Sequence, residues 1–229
     1  MIVHPEPPVK GVIFDFHATL VSSRDPGAWI GAAARHLGRT ANGTTDPAST
    51  EFRRLSSYLD RLWDHARVID PDNGRDLSSA RHHDVFSRTL ARHPGVDREL
   101  SDALYAVMTD QLVAFEDTLP VLAALRARGV RIVVLSNVGR DIRAGLQRVG
   151  LADAIDGLVL SYEVGVVKPQ PEIFQIALDL LAVPAEQALM VGDSWQDDGA
   201  AAALGIRTLI LPRTDGPVHG LGAVLRLLA

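Results

Sequence analysis

The sequence predicts an α/β fold: a doubly wound parallel sheet with a helical cap inserted after its first strand. Three observations predict it. Five short apolar runs, rich in β-branched residues or leucine, recur along the chain. Helix-length segments separate all but the first two of them, and repeated strand–helix–strand units imply a parallel sheet with helices on both faces. Between the first two runs lies a long interruption, residues 21–116, whose patterns are helical.

The expected strands are Gly11–Phe14, Arg131–Leu135, Gly157–Leu160, Ala188–Val191 and Arg207–Leu211. Continuous apolar runs of this length mark strands covered on both faces. A helix is expected over Thr118–Arg128, with Asp117 or Thr118 as its N-cap and Gly129 as its stop. Arg140–Val149, Pro171–Leu181 and Asp197–Leu204 supply further crossovers, and Leu221–Leu228 closes the chain. The interruption carries helical patterns at Ala28–Leu37, Glu51–Val68, Ala80–Arg92 and Arg98–Val113, with a polar loop at Thr40–Thr50 and no visible strand alternation. The expected division is therefore a core of residues 1–20 and 117–229 and a cap of residues 21–116. Trp29 and Trp63 stand at helical positions within the cap and are read as packing residues.

Composition narrows the function. At 229 residues and 47% hydrophobic, the chain can bury a sizeable core. A net charge of −5, with the arginines scattered, argues against a nucleic-acid binder. Cysteine is absent, which removes disulfides, thiolate catalysis and cysteine-based zinc sites. The N-terminal MIVHPEPPVK lacks the basic and apolar regions of a signal peptide, and no segment is long enough to span a membrane, so a cytoplasmic protein is expected. Asn42-Gly43-Thr44 is then a turn rather than a glycosylation site. Lys10 and Lys168 are the only lysines among 23 basic residues, which suggests that position 168 needs a compact ammonium.

Ligands of open α/β sheets bind at the carboxyl ends of the strands. The first strand runs into Asp15-Phe16-His17-Ala18-Thr19, and the second into Ser136-Asn137. Lys168-Pro169 follows the third, and Gly192-Asp193-Ser194-Trp195-Gln196-Asp197-Asp198 follows the fourth. Carboxylates converging at strand ends repel one another unless a hard cation lies between them, and Mg²⁺ prefers oxygen ligands. A hydroxyl, an ammonium and free backbone N–H groups can hold a phosphate. A carboxylate can attack phosphorus to give an aspartyl-phosphate. Each piece alone is commonplace, but four in order at successive strand ends are not.

VIFDFHATL, VVLSN, GVVKPQPEIF and VGDSWQDD together resemble the four motifs of the haloacid dehalogenase-like hydrolases, in their metal-dependent phosphatase branch, across nearly the whole core. The resemblance implies a Rossmann-like core and a Mg²⁺-dependent hydrolase of a small phosphate monoester. It implies Asp15 as nucleophile and metal ligand, with the backbone carbonyl of His17 and the carboxylate of Asp193 as further ligands. Thr19, Ser136 and Lys168 would surround the phosphate, with Asn137 also on the substrate side. The fourth motif usually supplies one more acid. Aligning the family's helix-ending glycine with Gly205 favours Asp197 over Asp198 for it.

The first motif departs from the family's Asp-x-Asp-Gly-Thr, because His17 replaces the second Asp and Ala18 the Gly. In phosphatases that second Asp is the general acid and base, a contribution of ~10²–10⁴-fold. Three readings compete. His17 takes over the proton transfer; the chain catalyses another reaction of the family; or it catalyses little and stabilises a partner protein. The family's dehalogenases need no metal and lack the Gly-Asp signature, and its phosphonate hydrolases use a cap lysine that this cap lacks. An active phosphohydrolase is the favoured reading, and a binding partner of another enzyme is the alternative. A homodimer is also open.

Weaker signals receive blander readings. His36, His65, His82, His83 and His93 in the cap are read as exposed or capping residues. Arg81 and the run Trp63–Arg67 are candidates to face the substrate, and Trp195 either walls the site or packs on the cap. His219, in the turn before the last helix, is given no catalytic role.

Overall fold

The computed structural model describes residues 7–23, 25–40 and 42–228; most of the N-terminal stretch read for a targeting signal lies outside them. Strands β1 (Gly11–Phe14), β4 (Arg131–Ser136), β5 (Gly157–Leu160), β6 (Ala188–Gly192) and β7 (Arg207–Ile210) form one sheet in the order β5-β4-β1-β6-β7. Every pairing in it is parallel. The central strand β1 is buried throughout, as both flanking strands and the crossover helices on either face require. Gly11 stands opposite Arg131 on one side and Ala188 on the other, so the strands end level with one another. That register brings Asp15, Ser136 and Gly192-Asp193 to one carboxyl edge.

The crossovers use α6 (Thr118–Ala127), α7 (Arg143–Arg148), α8 (Ser161–Val164) and α9 (Pro171–Leu181), and α10 (Gly222–Leu227) closes the chain. Helix α9 packs Ile173, Phe174, Ala177 and Leu181 onto Ile13, Val133 and Met190 of the sheet. Asp117 precedes α6, but its carboxylate makes no side-chain cap there. It accepts instead from the backbone N–H groups of His219, Gly220 and Leu221 at 3.0, 2.8 and 2.7 Å. Two expectations change here. The segment expected as a helix over Asp197–Leu204 is a 3₁₀ helix, Asp198–Leu204, and Arg140–Val149 is α-helical only from Arg143 to Arg148.

The chain divides into two compact units, Met1–Ser22 with Ala114–Val138 and Leu146–Ala229, and Ser23–Val113 with Gly139–Gly145. The second unit contains α1 (Pro26–His36), α2 (Thr50–Asp60), α3 (Leu62–Ala66), α4 (Ser79–Leu90) and α5 (Arg98–Ala106). Ile30, Leu55, Leu59, Phe86, Leu90 and Leu104 form its core, with Trp29 and Trp63 packed against them. The expected helix Glu51–Val68 breaks at Arg61, whose φ of −112° and ψ of 25° leave the helical region. The expected helix Arg98–Val113 stops at Ala106. Strands β2 (Val21–Ser23) and β3 (Leu112–Ala114) pair as a separate two-stranded sheet where no strand was expected. Three residues are too few for alternation to show in a sequence. Gly139–Gly145 joins the second unit because a Cβ on Gly139 would meet the Arg75 carbonyl oxygen at 2.1 Å and the His82 Cβ at 2.6 Å.

His82 corrects the reading of the cap histidines, since it is buried and its Nδ1 lies 3.0 Å from the Tyr105 hydroxyl. Burial lowers its pKa to about 3, helped by the positive charges of Arg140 and Arg75 and by His83. The folded value lies below the unfolded one near 6.5. This stability is therefore full above pH ~6.5 and is lost as acid protonates the unfolded chain alone. Unfolding in urea should cost about 2 kcal/mol less at pH 5 than at pH 7 from this residue. His82→Gln should flatten that slope, and an unchanged slope would refute the assignment. Arg81, a candidate to face substrate, pairs instead with buried Asp70.

Candidate active site

The site is built at the carboxyl edge of the main sheet, wholly within the first unit. Asp15 follows β1 directly and is 7% exposed. Its Oδ2 accepts from the Thr19 hydroxyl at 3.0 Å, and its Oδ1 accepts from the Lys168 ammonium at 2.7 Å. Both carboxylate oxygens are thus anchored, which fixes the direction in which Asp15 presents its lone pairs. The tight loop from Phe16 to Val21 makes this possible, with the Ala18 N–H donating to the Val21 carbonyl at 2.7 Å. Ala18 sits at φ 63°, in the left-handed region that glycine adopts freely.

Lys168 is the ammonium that the sparse lysine usage pointed to, and it is 4% exposed. Its Nζ donates to Asp15 at 2.7 Å and to Asp198 at 2.6 Å, bridging the two carboxylates. Burial alone would lower the Lys168 pKa, but Asp15 and Asp198 outweigh it and hold the group firmly charged. Asn137, expected to meet substrate, uses both ends of its amide on the backbone of Lys168. Its Nδ2 donates to the Lys168 carbonyl at 2.9 Å, and its Oδ1 accepts from the Lys168 N–H at 2.8 Å. Asn137 therefore positions the lysine. Ser136 ends β4 and is buried at the same edge.

In the fourth segment the structure turns Asp198, and not the favoured Asp197, toward Lys168 and Asp15. Asp198 is fully buried and faces Lys168, whereas Asp197 accepts from the Ser194 hydroxyl at 3.1 Å. Burial raises the Asp198 pKa, against the opposing pull of Lys168. The backbone N–H of Ser194 donates to Asp198 Oδ2 at 3.0 Å. Gly192 explains why the strand must end in glycine: a Cβ there would lie 2.1 Å from Asp198 Oδ2. Asp15, Asp193 and Asp198 each offer an oxygen, all within 4.8 Å of one another. An all-oxygen set of three carboxylates suits a hard cation such as Mg²⁺, so the residues present fit that ion.

Sequence reasoning missed Arg213, whose Nε donates to Asp193. It lies beyond β7, outside the four segments, and no spacing rule singles it out. His17 is exposed and bridges Val21. Desolvation at the sheet edge lowers its pKa, with Asp15 and Asp193 opposing and Arg213 adding to the fall. His219, given no role, is buried against Phe115 at 4.8 Å between ring centroids. Trp195 is 74% exposed.

The profile of the haloacid dehalogenase-like hydrolases matches residues 9–205. The chain belongs to this family. It is 34% identical over 213 residues to (S)-2-haloacid dehalogenase 1 of a Pseudomonas species, covering 92% of this chain and 87% of that one. It is 32% identical over 151 residues to the ribulose-1,5-bisphosphate 5-phosphatase of Halopiger xanaduensis, spanning 63% of each chain. Among solved structures, a 2-haloacid dehalogenase from Pseudomonas syringae superposes with a TM-score of 0.63 at 26% identity, covering 96% of this chain and 98% of that one. A phosphatase of the family from Thermococcus onnurineus superposes with the same TM-score of 0.63 at 21% identity, covering 96% and 98% of the two chains. Family members of this kind are hydrolases, and the parallel sheet with its helices is their shared frame. Among the described residues no helix is long and apolar enough to cross a membrane.

Proposed function

We propose that this protein hydrolyses a small phosphate monoester, with Mg²⁺ as cofactor, through an aspartyl-phosphate on Asp15. The observation that carries the reading is the cluster of Asp15, Asp193 and Asp198 within 4.8 Å, bridged on one side by Lys168. A carboxylate nucleophile alone needs no second and third buried acid beside it. Asp15, Asp193 and Asp198 would hold Mg²⁺, which supplies charge neutralisation for the phosphoryl oxygens.

The remaining steps belong to the chain itself. Asp15 attacks phosphorus, the ester P–O bond breaks, and the leaving oxygen takes a proton from solvent water. Water then attacks the phosphorus of the aspartyl-phosphate and releases inorganic phosphate. Lys168 orients Asp15 and offsets the charge beside it, and Ser136 supplies a hydroxyl to the phosphoryl group. Thr19 keeps the second carboxylate oxygen in line. His17 occupies the place of the family's general acid and base. As a neutral imidazole it could take the proton of the attacking water.

A second reading, metal-free dehalogenation of a 2-haloacid, is favoured by the 34% identity to the Pseudomonas dehalogenase over 92% of this chain. One assay separates the two. Purified protein is given a panel of phosphomonoesters and, in parallel, 2-chloro acids, with Mg²⁺ or with EDTA. Phosphate release that requires Mg²⁺ is expected. Halide release in EDTA would replace the proposal with the second reading. Silence in every arm would reduce the chain to a binding partner of another protein.

A further inference from the structure

The second unit carries a cationic groove that the chemistry at the sheet edge does not use. Arg53, Arg54, Ser57, Tyr58 and Arg61 line it, together with His65 of α3, around a cavity of ≈ 370 Å³. On α2 these residues recur at helical spacing, so a single face presents three guanidiniums, a hydroxyl and an aromatic ring. Arg92 adds its positive field at Tyr58, and Arg54 does so at His93.

Two features show that this face is more than a solvated surface. None of Arg53, Arg54, Arg61 and Arg92 forms an ion pair with a carboxylate among the described residues, although the chain has 28 acids against 23 bases. Arg53 reaches only the Ala48 carbonyl at 3.2 Å and the Thr50 hydroxyl at 3.1 Å. Like charges gathered on one face repel unless an anion offsets them. The second feature is His65, whose ring stacks on Tyr58 at 4.2 Å and 11°. Its Nε2 is buried with no hydrogen-bond partner, so the ring is held at the groove by stacking alone.

We propose that this groove is a second anion site, which binds the phosphate group of a small molecule. Guanidinium forks match phosphate oxygens in pairs. None of the groove's residues belongs to the site around Asp15, so the inference stands whether or not that site hydrolyses phosphate esters.

The test uses the full chain with ¹³C-labelled histidine, in EDTA, titrated with inorganic phosphate and with pyrophosphate. The His65 ring resonance should shift saturably. Arg54→Gln with Arg61→Gln should weaken that binding at least roughly tenfold, in line with the loss of charge-assisted bonds. Both side chains are exposed, so the fold should survive, and unchanged signals from His82 verify it. Asp15→Asn should leave the His65 response intact, which separates this site from the other. An absent shift, an equal shift with chloride at matched ionic strength, or an equal affinity in the double variant would overturn the proposal. A polyglutamate peptide that shifts His65 at lower concentration than phosphate would overturn it in favour of an acidic protein partner.

Discussion

Asp15→Asn should abolish turnover while leaving the fold intact. The amide keeps the size of the carboxylate, and its Oδ1 can still accept from Lys168. It offers no anionic oxygen to attack phosphorus, so no covalent intermediate forms. The expected fall in kcat exceeds ~10⁴-fold, because losing a nucleophile removes the reaction path and not just one contact. A thermal melt within a few degrees of wild type would show that the effect is chemical. Turnover at more than a hundredth of the wild-type rate would remove Asp15 from the role of nucleophile.

Lys168→Met should be the most destabilising single change at the site. The ammonium bridges Asp15 at 2.7 Å and Asp198 at 2.6 Å in a pocket where both acids are buried. Removing it leaves two carboxylates without their shared cation, and breaking a buried pair in this way costs about 3–5 kcal/mol. Denaturation in EDTA at pH 7 should show that loss. Because burial already raises the Asp198 pKa, the variant's deficit should shrink as the pH falls and Asp198 takes a proton. Added Mg²⁺ should restore part of the stability by binding the folded state. A loss below ~1 kcal/mol, the worth of an exposed ion pair, would mean that the bridge is unimportant. Turnover should fall as well, since Lys168 also fixes the direction of Asp15.

How far this site can be read from sequence depends on how each residue is placed. Asp15, Ser136 and Asp193 follow strands, and strand ends in a parallel sheet converge whatever the loops do. Lys168 was legible for another reason, as one of two lysines in a chain that otherwise uses arginine. Asp198 was not legible, because Asp197 and Asp198 adjoin at the start of a 3₁₀ helix and only its phase decides which one turns inward. The Gly192 contact with Asp198 fixes that phase, and it exists only in three dimensions. Asn137 was assigned to substrate on its place in the motif, while its amide is fully engaged by the Lys168 backbone. Arg213 and the burial of His82 carry no periodic signature at all. The β2–β3 pair escaped notice because three-residue strands are shorter than any pattern that could announce them.

The proposed reaction passes a phosphoryl group through Asp15, and acid-quench trapping tests that step most directly. Protein with Mg²⁺ and a turned-over phosphomonoester is quenched at successive times, digested, and the peptide carrying Asp15 is weighed. The predicted result is a phosphoryl group on that peptide, sensitive to hydroxylamine and absent from Asp15→Asn. Phosphate release with the Asp15 peptide unmodified at every quench time, or a phosphoryl group on another residue, would contradict the account.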